Sequence, residues 1–479
     1  MLRILDLGCN SLSSSISDIN FCPSHDNASK VYPLEELLLP NNQLSGSIPL
    51  SLANCSQLVI LNLSFNKLTG SIPGELSRLL NLERLSLWQN ELTGTIPAEL
   101  GNIPRLKSLV LNNNRLSGGI PSGISGCKNM EWINLNNNQL SGEIPKTLGQ
   151  MQKLTLFLLG NNSLIGSIPP ELENCSQLLW VDLNTNQLTG SIPGEVGRHS
   201  TSSLQTEVLS GYQLAYVRNP GSACRGLGLG IMVDFTGLTI EDLLSESPLG
   251  NACGGAIQPM VYVGGSLYDN PENRTLQYLD LSYNQFSGVL PEQMGSSMSL
   301  ISLALSHNQL GGALPESFTS LRTLGVMDIS YNNFRGCLAV LASCTLLVAV
   351  DVSNNDFSEE IPSGGQLSTN PASAFANNSG LCGLPLAPCN TSLLVSPSSA
   401  TGTPSGNLHL HVISMITNGI VVSVLVALLC SSFLAVGLLL HKKKQKEKKT
   451  AMENSLLNSL QQTPSSRSRS RSRSSSSSG

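Results

Sequence analysis

The sequence predicts an α/β-type solenoid of leucine-rich repeats, with short parallel strands and 3-10 or irregular return segments wound into a right-handed superhelix. Two observations predict this fold: a fixed period of 24 residues and a repeated phrase that reads LxLxxNxLxGxIP. A period of this length is typical of repeats that stack identical coils. The asparagines of the phrase that keep the period are Asn42, Asn66, Asn90, Asn114, Asn138, Asn162 and Asn186.

The register of one coil can be read from residues 58–79, "LVILNLSFNKLTGSIPGELSRL". Its strand alternates apolar and other residues, which is the pattern of a strand with one face in a core. The positions expected to point inward are Leu58, Leu61, Leu63, Leu68, Ile72, Leu76 and Leu79. A single coil has no partner for this apolar side, so each coil is expected to bury it against its neighbours.

The asparagine of each coil is expected to be a scaffold residue. Its carboxamide can pair with backbone groups that the bend leaves unpaired, and an unpaired buried polar group costs ~1–3 kcal/mol. The glycine and the Ile-Pro pair that follow, as in Gly70, Ile72 and Pro73, are expected to set the backbone of the return segment. Glycine accepts a positive φ and proline fixes a negative one.

The asparagine ladder extends to twelve coils, and two of its spacings are irregular. Asn10 precedes the regular series, and Asn284, Asn308, Asn332 and Asn355 continue it. The first gap, from residue 10 to 42, is eight residues longer than the period and contains "FCPSHDNASKVYP". The second, from residue 186 to 284, leaves 98 − 24 = 74 additional residues. Because insertions in solenoids form loops, often on the binding face, the longer one is the candidate site.

The remainder of the chain is expected to cross a membrane once. Residues 412–440 are an apolar run without a charged side chain, and six lysines between Lys442 and Lys449 follow it. This pattern places the lysines in the cytoplasm and the repeats outside the cell, at the plasma membrane. No signal peptide precedes Met1, so the chain is expected to be incomplete at its N-terminus.

These features divide the sequence into seven segments. They are leucine-rich repeats at 1–195, an inserted island domain at 196–275, repeats at 276–364, a C-terminal cysteine cap at 365–389, a juxtamembrane linker at 390–411, a transmembrane helix at 412–440 and a basic, Arg/Ser-rich cytoplasmic tail at 441–479.

Composition favours a glycosylated ectodomain over a nucleic-acid-binding protein. Only 12% of the residues are charged, the net charge is −5, and no basic stripe follows the repeats. Nucleic acid is therefore not an expected partner. Eight Asn-x-Ser/Thr sequences are candidate glycosylation sites: Asn27, Asn54, Asn62, Asn161, Asn174, Asn273, Asn377 and Asn390.

The cysteines predict disulfides. Cys382 and Cys389 follow the last coil and are expected to close a cap over the end of the core. Cys224 and Cys253 bracket the interior of the long insert and are expected to staple it. Four further cysteines precede strands and are expected to be buried thiols that pack as small apolar residues: Cys55, Cys127, Cys175 and Cys344.

The sequence shows no catalytic constellation, and we expect neither an enzyme nor a cofactor nor a metal site. The glycine-rich run at 226–230 lacks the Lys-Ser/Thr of a nucleotide-binding loop. His409 and His411 lie in the linker without further ligands nearby, and no second cysteine pair completes a zinc site. The short tail contains none of the kinase motifs.

From residue 2 to 389 the chain resembles the membrane-proximal ectodomain of the plant brassinosteroid receptor kinases. The segments that carry the resemblance are the insertion with Cys22, "WVDLNTNQLTGSIP", the island stretch "AYVRNPGSACRGLG", the return "VYVGG" and the cap "GQLSTNPASAFANNSGLCGLPLAPC". The repeat phrases are shared by many plant receptors. An island of this size, with its own cysteine pair, is more specific.

The resemblance implies that the island folds onto the concave side and that a steroid-like ligand lies between island and coils. By position, the ligand-binding residues are Leu214, Tyr216, Tyr262, Gln277, Tyr278, Ile301, Gly325 and Val326. Four of them depart from the family: Leu214 replaces an aromatic residue, Gln277 a methionine, Ile301 a phenylalanine and Gly325 an asparagine. These changes predict a wider slot and a ligand other than the usual steroid.

The resemblance also implies a co-receptor kinase with few repeats of its own, which contacts Thr345, Leu346 and Val348. The first hypothesis is therefore a receptor without a kinase, which binds a small apolar, brassinosteroid-like ligand and signals through a partner kinase. The alternatives are a fragment of a complete receptor serine/threonine kinase, and a peptide-binding or purely structural repeat protein.

Overall fold

The computed structural model describes residues 2–23, 32–194, 276–297, 300–363 and 366–389, together with the backbone of strands Leu214–Arg218, Gly230–Asp234 and Met260–Val263. The predicted linker, transmembrane segment and tail, at 390–479, lie outside the described residues, as does most of the island. Among the described residues, no helix combines the length and the apolar character that a membrane span requires.

The predicted parallel-strand solenoid is confirmed. A twelve-stranded parallel sheet takes one three-residue strand from each of the twelve coils. Its register advances by one coil at a time, so that Leu37 pairs with Leu61 and Leu61 with Leu85. The strands are Ile4–Asp6, Glu36–Leu38, Ile60–Asn62, Arg84–Ser86, Ser108–Val110, Trp132–Asn134, Leu156–Leu158, Trp180–Asp182, Tyr278–Asp280, Ser302–Ala304, Val326–Asp328 and Ala349–Asp351.

A second set of strands follows the asparagine turns. A two-stranded sheet is formed by Ser45–Ser47 and Lys67–Thr69. A nine-stranded sheet contains Ser117–Gly118, Gln139–Glu143, Ser163–Gly166, Gln187–Gly190, Gln285–Val289, Gln309–Gly312, Asn333–Gly336, Asp356–Glu360 and Gly380–Cys382. The LxGxI phrase of each coil therefore supplies a second stacking surface beside the first sheet.

Short helices return the chain from the second sheet to the next strand, as the sequence predicts. Most are 3-10 helices that begin directly after the proline of the Ile-Pro pair, whose φ near −65° suits a helix start. They are Leu50–Asn54, Gly74–Arg78, Ala98–Asn102, Ser122–Gly126, Lys146–Gln150, Pro170–Asn174, Glu316–Ser320, Ala339–Ser343, Leu367–Thr369 and Ala372–Phe375. An α-helix, Gln293–Ser297, takes this place in the coil of Asn284.

One apolar core runs from the first described coils to the cap. In the coil of residues 58–79, all seven predicted inward positions are at most 3% exposed. The strands before and after the long insert pair directly, since Val181 lies opposite Leu279. The core is therefore continuous across the insertion point.

The ladder asparagines have the predicted scaffold role. The Oδ1 atom of Asn66 accepts a hydrogen bond from the backbone N–H of Leu44 at 3.0 Å. Its Nδ2 donates to the carbonyl oxygens of Leu39, Leu63 and Ser64 at 2.9–3.1 Å. Each such side chain ties two coils together. Asn378 makes the same contacts within the predicted cap, so the cap continues the ladder by one turn.

The backbone at the turn is left-handed at two places in every coil after the first. Gly70 and Gly94 have φ values of 76° and 77°, as the sequence predicts. The residue directly before each ladder asparagine is also left-handed, for example Phe65 with a φ of 52°. The sequence analysis did not anticipate this second position, because residues of many types occupy it.

The cysteines correct one prediction. The disulfide between Cys382 and Cys389 is present. Cys55, however, is not a buried thiol: it forms a disulfide with Cys22, so the short insertion between the first two coils is stapled to the next coil. The expected Cys224 and Cys253 pair lies outside the described residues.

The other three cysteines are buried thiols, as predicted: Cys127, Cys175 and Cys344. Burial raises the pKa of the Cys175 thiol to about 12, and the pKa values of the Cys127 and Cys344 thiols to about 11. These three cysteines therefore stay protonated and unreactive at physiological pH.

Candidate ligand-binding surface

The twelve-stranded sheet presents a row of side chains that do not belong to the core. In strand Trp180–Asp182, Val181 joins the core, whereas Trp180 and Asp182 flank it on the opposite side. The same alternation places Tyr278 and Asp280 on either side of Leu279 in the next strand. We call this side of the twelve-stranded sheet the sheet face.

Four consecutive coils form an apolar strip on the sheet face. Trp132, Leu156, Trp180 and Tyr278 are register partners in adjacent strands. Their exposed fractions are 0%, 0%, 2% and 8%, although their strand positions direct them away from the core. The strip, which we call the aromatic strip, leads up to the insertion point and continues beyond it.

The two aromatic rings that flank the insertion point are in contact. The rings of Trp180 and Tyr278 are stacked with centroids 4.5 Å apart and planes inclined by 19°. Stacked aromatic pairs of this kind provide a large, flat, rigid apolar surface. They form the part of the aromatic strip that joins the coils directly before and after the long insert.

A pair of buried carboxyl groups lies beside the stacked rings. Asp182 and Asp280 are register partners, two residues along the strands from Trp180 and Tyr278, and are 3% and 2% exposed. The backbone N–H and hydroxyl of Ser282 both donate to Oδ1 of Asp280, at 3.0 and 2.6 Å. The apolar strip therefore has an acidic edge.

Asp182 belongs to a polar network that crosses three coils. Nδ2 of Asn136 donates to Oδ2 of Asp182 at 2.9 Å, and the backbone N–H and side-chain amide of Asn184 donate to Oδ1. The coil between Asn136 and Asp182 has Gly160 at this place. A side chain there would obstruct the hydrogen bond, since its Cβ atom would lie 2.9 Å from Oδ1 of Asp182. The glycine is therefore required for the network.

The carboxyl group of Asp182 is buried beside that of Asp280. The pKa of Asp182 is raised to about 7. Burial is the main cause, and the charge of Asp280 adds to it, against the opposing effect of the hydrogen bonds from Asn184 and Asn136. At neutral pH, Asp182 is therefore near the midpoint of its titration.

The structure brings together the predicted ligand residues that follow the insert. One row of neighbouring backbone positions contains Gln277, Ile301 and Gly325. The N–H of Ile301 donates to the carbonyl oxygen of Gln277 at 2.8 Å, and the N–H of Gly325 donates to that of Ile301 at 2.9 Å. Tyr278 and Val326 lie in the adjacent row, on either side of Ser302. Gln277 and Tyr278 are buried, and the other three are half-buried.

The predicted residues within the island are described by their backbone only. Leu214 and Tyr216 lie on strand Leu214–Arg218, which pairs antiparallel with Gly230–Asp234 and with Met260–Val263. Tyr216 and Tyr262 are direct register partners. The island thus contains a three-stranded sheet in which two predicted ligand residues are neighbours, while their side chains lie outside the description.

The predicted co-receptor residues form an exposed extension of the same row. The backbone N–H of Val348 donates to the carbonyl of Gly325 at 2.9 Å. Leu346 and Val348 are 58% and 64% exposed, and Thr345 is also exposed. A protein that contacts these residues would lie directly beside the row of Gln277, Ile301 and Gly325.

The candidate glycosylation sites fall into three groups. Asn62 is 2% exposed, and its Oδ1 accepts from the N–H and hydroxyl of Ser64, so the folded chain has no space for a glycan there and this prediction is corrected. The exposed sites are Asn54, Asn161, Asn174 and Asn377. The sites outside the described residues are Asn27, Asn273 and Asn390.

The sequence analysis missed Trp180, Trp132 and the Asp182–Asp280 pair. A signal was present, because superposing "LLWVDLNTN" on "LQYLDLSYN" across the insert aligns Trp180 with Tyr278 and Asp182 with Asp280. The ring stacking and the polar network do not follow from such an alignment, since they depend on side-chain conformations in neighbouring coils.

Comparisons with known proteins agree with this architecture. The leucine rich repeat family matches residues 80–140, 104–164, 33–55, 57–79, 275–297 and 299–321. The chain is 40% identical over 244 residues to the receptor-like protein kinase BRI1-like 3 of Arabidopsis thaliana, and 38% identical over 255 residues to the brassinosteroid LRR receptor kinase BRI1 of Oryza sativa subsp. japonica. The resemblance inferred from the sequence is confirmed.

These alignments cover 50% and 53% of this chain. The chain spans about a fifth of the length of these relatives, 20% and 22%. Among solved structures, the Arabidopsis receptor kinase HAESA, in complex with the peptide hormone IDA and the co-receptor SERK1, superposes with a TM-score of 0.53 at 26% identity. That superposition covers 82% of this chain and 55% of HAESA.

Proposed function

We propose that this leucine-rich repeat chain, a relative of the BRI1-like receptor kinases, is the ligand-binding part of a single-pass plasma-membrane receptor. Its ligand is a small apolar molecule of the brassinosteroid kind, which lies between the inserted island and the sheet face. It signals through a partner kinase that contacts the exposed residues Thr345, Leu346 and Val348.

The observation that carries the proposal is the aromatic strip at the insertion point. Trp180 and Tyr278 stack on each other across the insertion point, in the coils directly before and after the insert, and each is less than a tenth exposed. The stacked rings present a flat, rigid apolar surface. Such a surface suits a rigid hydrocarbon, because burial contributes ~25 cal/mol per Å² and a rigid ligand loses little conformational entropy.

Direct titration tests the proposal. Isothermal titration calorimetry of the purified full chain with a brassinosteroid should give saturable binding at micromolar concentration or below. A folded chain that releases no heat and shows no thermal shift with brassinosteroid would remove the support for a steroid ligand.

A second candidate function is peptide binding, which the likeness to HAESA favours, since that receptor was solved with a peptide hormone. A polar edge also accompanies the aromatic strip, where Asn136, Asp182 and Asn184 form their network. A peptide library screened against the full chain separates the two functions: a peptide that binds without competition from brassinosteroid would favour the peptide receptor.

A third candidate is that the sequence is part of a complete receptor serine/threonine kinase, as its span of about a fifth of the relatives suggests. Sequencing of full-length transcripts decides between these possibilities. A continuous message that encodes a kinase after the lysine cluster would replace the kinase-less receptor with an enzymatic one.

A further inference from the structure

Gln277 has a buried polar atom that the described part of the chain leaves unpaired. Its side chain is 6% exposed. Its Oε1 atom finds no hydrogen-bond partner among the residues that the structure describes. Most buried acceptors in folded proteins are paired, and leaving one unpaired is costly, so an unused acceptor at such a place requires an explanation.

The backbone of Gln277 is fully used, which leaves the side chain as the unusual part. Its N–H donates to the carbonyl of Leu179 at 2.9 Å, and its carbonyl accepts from Ile301 and Ser302 at 2.8 and 3.1 Å. These bonds fix the position of the residue in the sheet. Among the described residues, Oε1 of the carboxamide therefore adds no hydrogen bond between the coils.

The neighbours of Gln277 in its row are apolar, with Leu179 before the insert and Ile301 in the next coil. The backbone hydrogen bonds connect Leu179, Gln277, Ile301, Gly325 and Val348 in that order. Next to Gln277 in its own strand is Tyr278, which is stacked on Trp180. Gln277 thus places one oxygen acceptor in an apolar surface at the proposed ligand site.

We propose that Oε1 of Gln277 accepts a hydrogen bond from a hydroxyl group of the ligand, and that this contact makes the receptor specific for a hydroxylated apolar molecule. The inference rests on the proposed function and adds to it the polar group that the ligand carries. A hydroxyl is the matching group because it donates one hydrogen bond while the remainder of a rigid hydrocarbon covers the aromatic strip. A deoxy ligand would bury the acceptor without a partner, which penalises its binding.

Gln277→Met is the informative variant, because methionine fills a similar volume and removes the acceptor. The side chain makes no described hydrogen bond through Oε1, so the variant should fold, with a thermal unfolding midpoint equal to or above that of the wild type. The matched control is Gln285→Met, which changes an exposed glutamine of the nine-stranded sheet.

The experiment is calorimetric titration of the full chain with a brassinosteroid and with a set of analogues that each lack one of its hydroxyl groups. The wild type and Gln285→Met should bind one of the deoxy analogues roughly 10- to 100-fold more weakly than the parent compound. In Gln277→Met that difference should fall below about threefold.

Two results would overturn this inference without affecting the proposed function. One is a wild-type chain that binds the parent compound and every deoxy analogue with affinities within about threefold of each other. The other is a Gln277→Met variant that prefers the parent compound as strongly as the wild type does. The first result means that only water uses the acceptor. Absence of binding by every compound, with a folded wild-type chain, overturns the proposed steroid function together with the inference. The two failures are therefore distinguishable.

Discussion

Trp180 and Tyr278 are stacked in neighbouring coils, although the whole of the long insert separates them in the sequence. The strands that carry them pair as directly as any two consecutive coils. The insert therefore leaves and re-enters the solenoid without disturbing the sheet, and the two rings belong to the coils directly before and after it. This relationship is the basis for locating the ligand site here.

Trp180→Ala should reduce the affinity for a brassinosteroid roughly tenfold or more, because it removes half of the stacked aromatic surface. Tyr262→Ala, on the island strand, should weaken binding in the same direction. Phe65→Ala is the control, since Phe65 packs on Trp88 far from the insert. Calorimetry on the three variants checks this, and equal losses in Phe65→Ala and Trp180→Ala would argue against a site at the insertion point.

Asn66→Ala should destabilise the fold and leave the site chemistry intact. The change removes the acceptor of the Leu44 N–H and the donor to the Leu39 carbonyl, and each buried group left unpaired costs ~1–3 kcal/mol. Denaturant unfolding should show a loss of at least ~2 kcal/mol relative to Asn102→Ala, which changes an exposed asparagine. Equal stability of the two variants would refute the scaffold role.

The buried Asp182 should make stability depend on pH. The folded pKa, about 7, lies above the ordinary value of about 3.9, so the folded state binds the proton more tightly than the unfolded state. Asp182 therefore lowers the free energy of unfolding as pH rises from about 4 to 7, and its destabilising effect is complete above pH 7.

Asp182→Asn should remove this contribution. The thermal midpoint of the variant, relative to wild type, should be higher at pH 8 than at pH 5, and Asp356→Asn, at an exposed strand residue, serves as the control. A difference between variant and wild type that stays constant with pH would contradict the raised pKa.

The disulfide between Cys22 and Cys55 should contribute to the stability of the first coils. It closes a loop with a sequence separation of 33 residues, and loops of this size are typically stabilised by about 2–4 kcal/mol. The double variant Cys22→Ala/Cys55→Ala should lose that amount in denaturant unfolding. Peptide mapping without reduction provides the direct check: alkylation of both cysteines in the unfolded, unreduced chain would disprove the bond.

Most of the solenoid could be predicted from the sequence because each coil repeats the same local rules. The positions of Leu61 and Leu63, the turn at Asn66 and the positive φ of Gly70 depend on residues within one or two coils. Each coil has one ladder asparagine and one strand of the large sheet, so the number of asparagines predicts the twelve strands. The extra turn at Asn378 was missed because the cap does not repeat the complete phrase.

The site could be predicted only in part, because its contacts depend on which coils become neighbours. Gln277 and Tyr278 were found through the family resemblance. The stack on Trp180 requires the strands on both sides of the insert to pair, and the raised pKa of Asp182 requires its burial beside Asp280. The bond between Cys22 and Cys55 likewise joins two coils whose alignment the irregular first spacing obscures.

Photoaffinity labelling with a photoreactive brassinosteroid tests the central claim most directly. After labelling of the full chain and digestion with trypsin, the label should be found in the peptides 154–198 and 275–322, which contain Trp180 and Tyr278. Excess unlabelled brassinosteroid should abolish it. Labelling that is confined to other peptides, or that unlabelled steroid does not reduce, would contradict a steroid site at the insertion point.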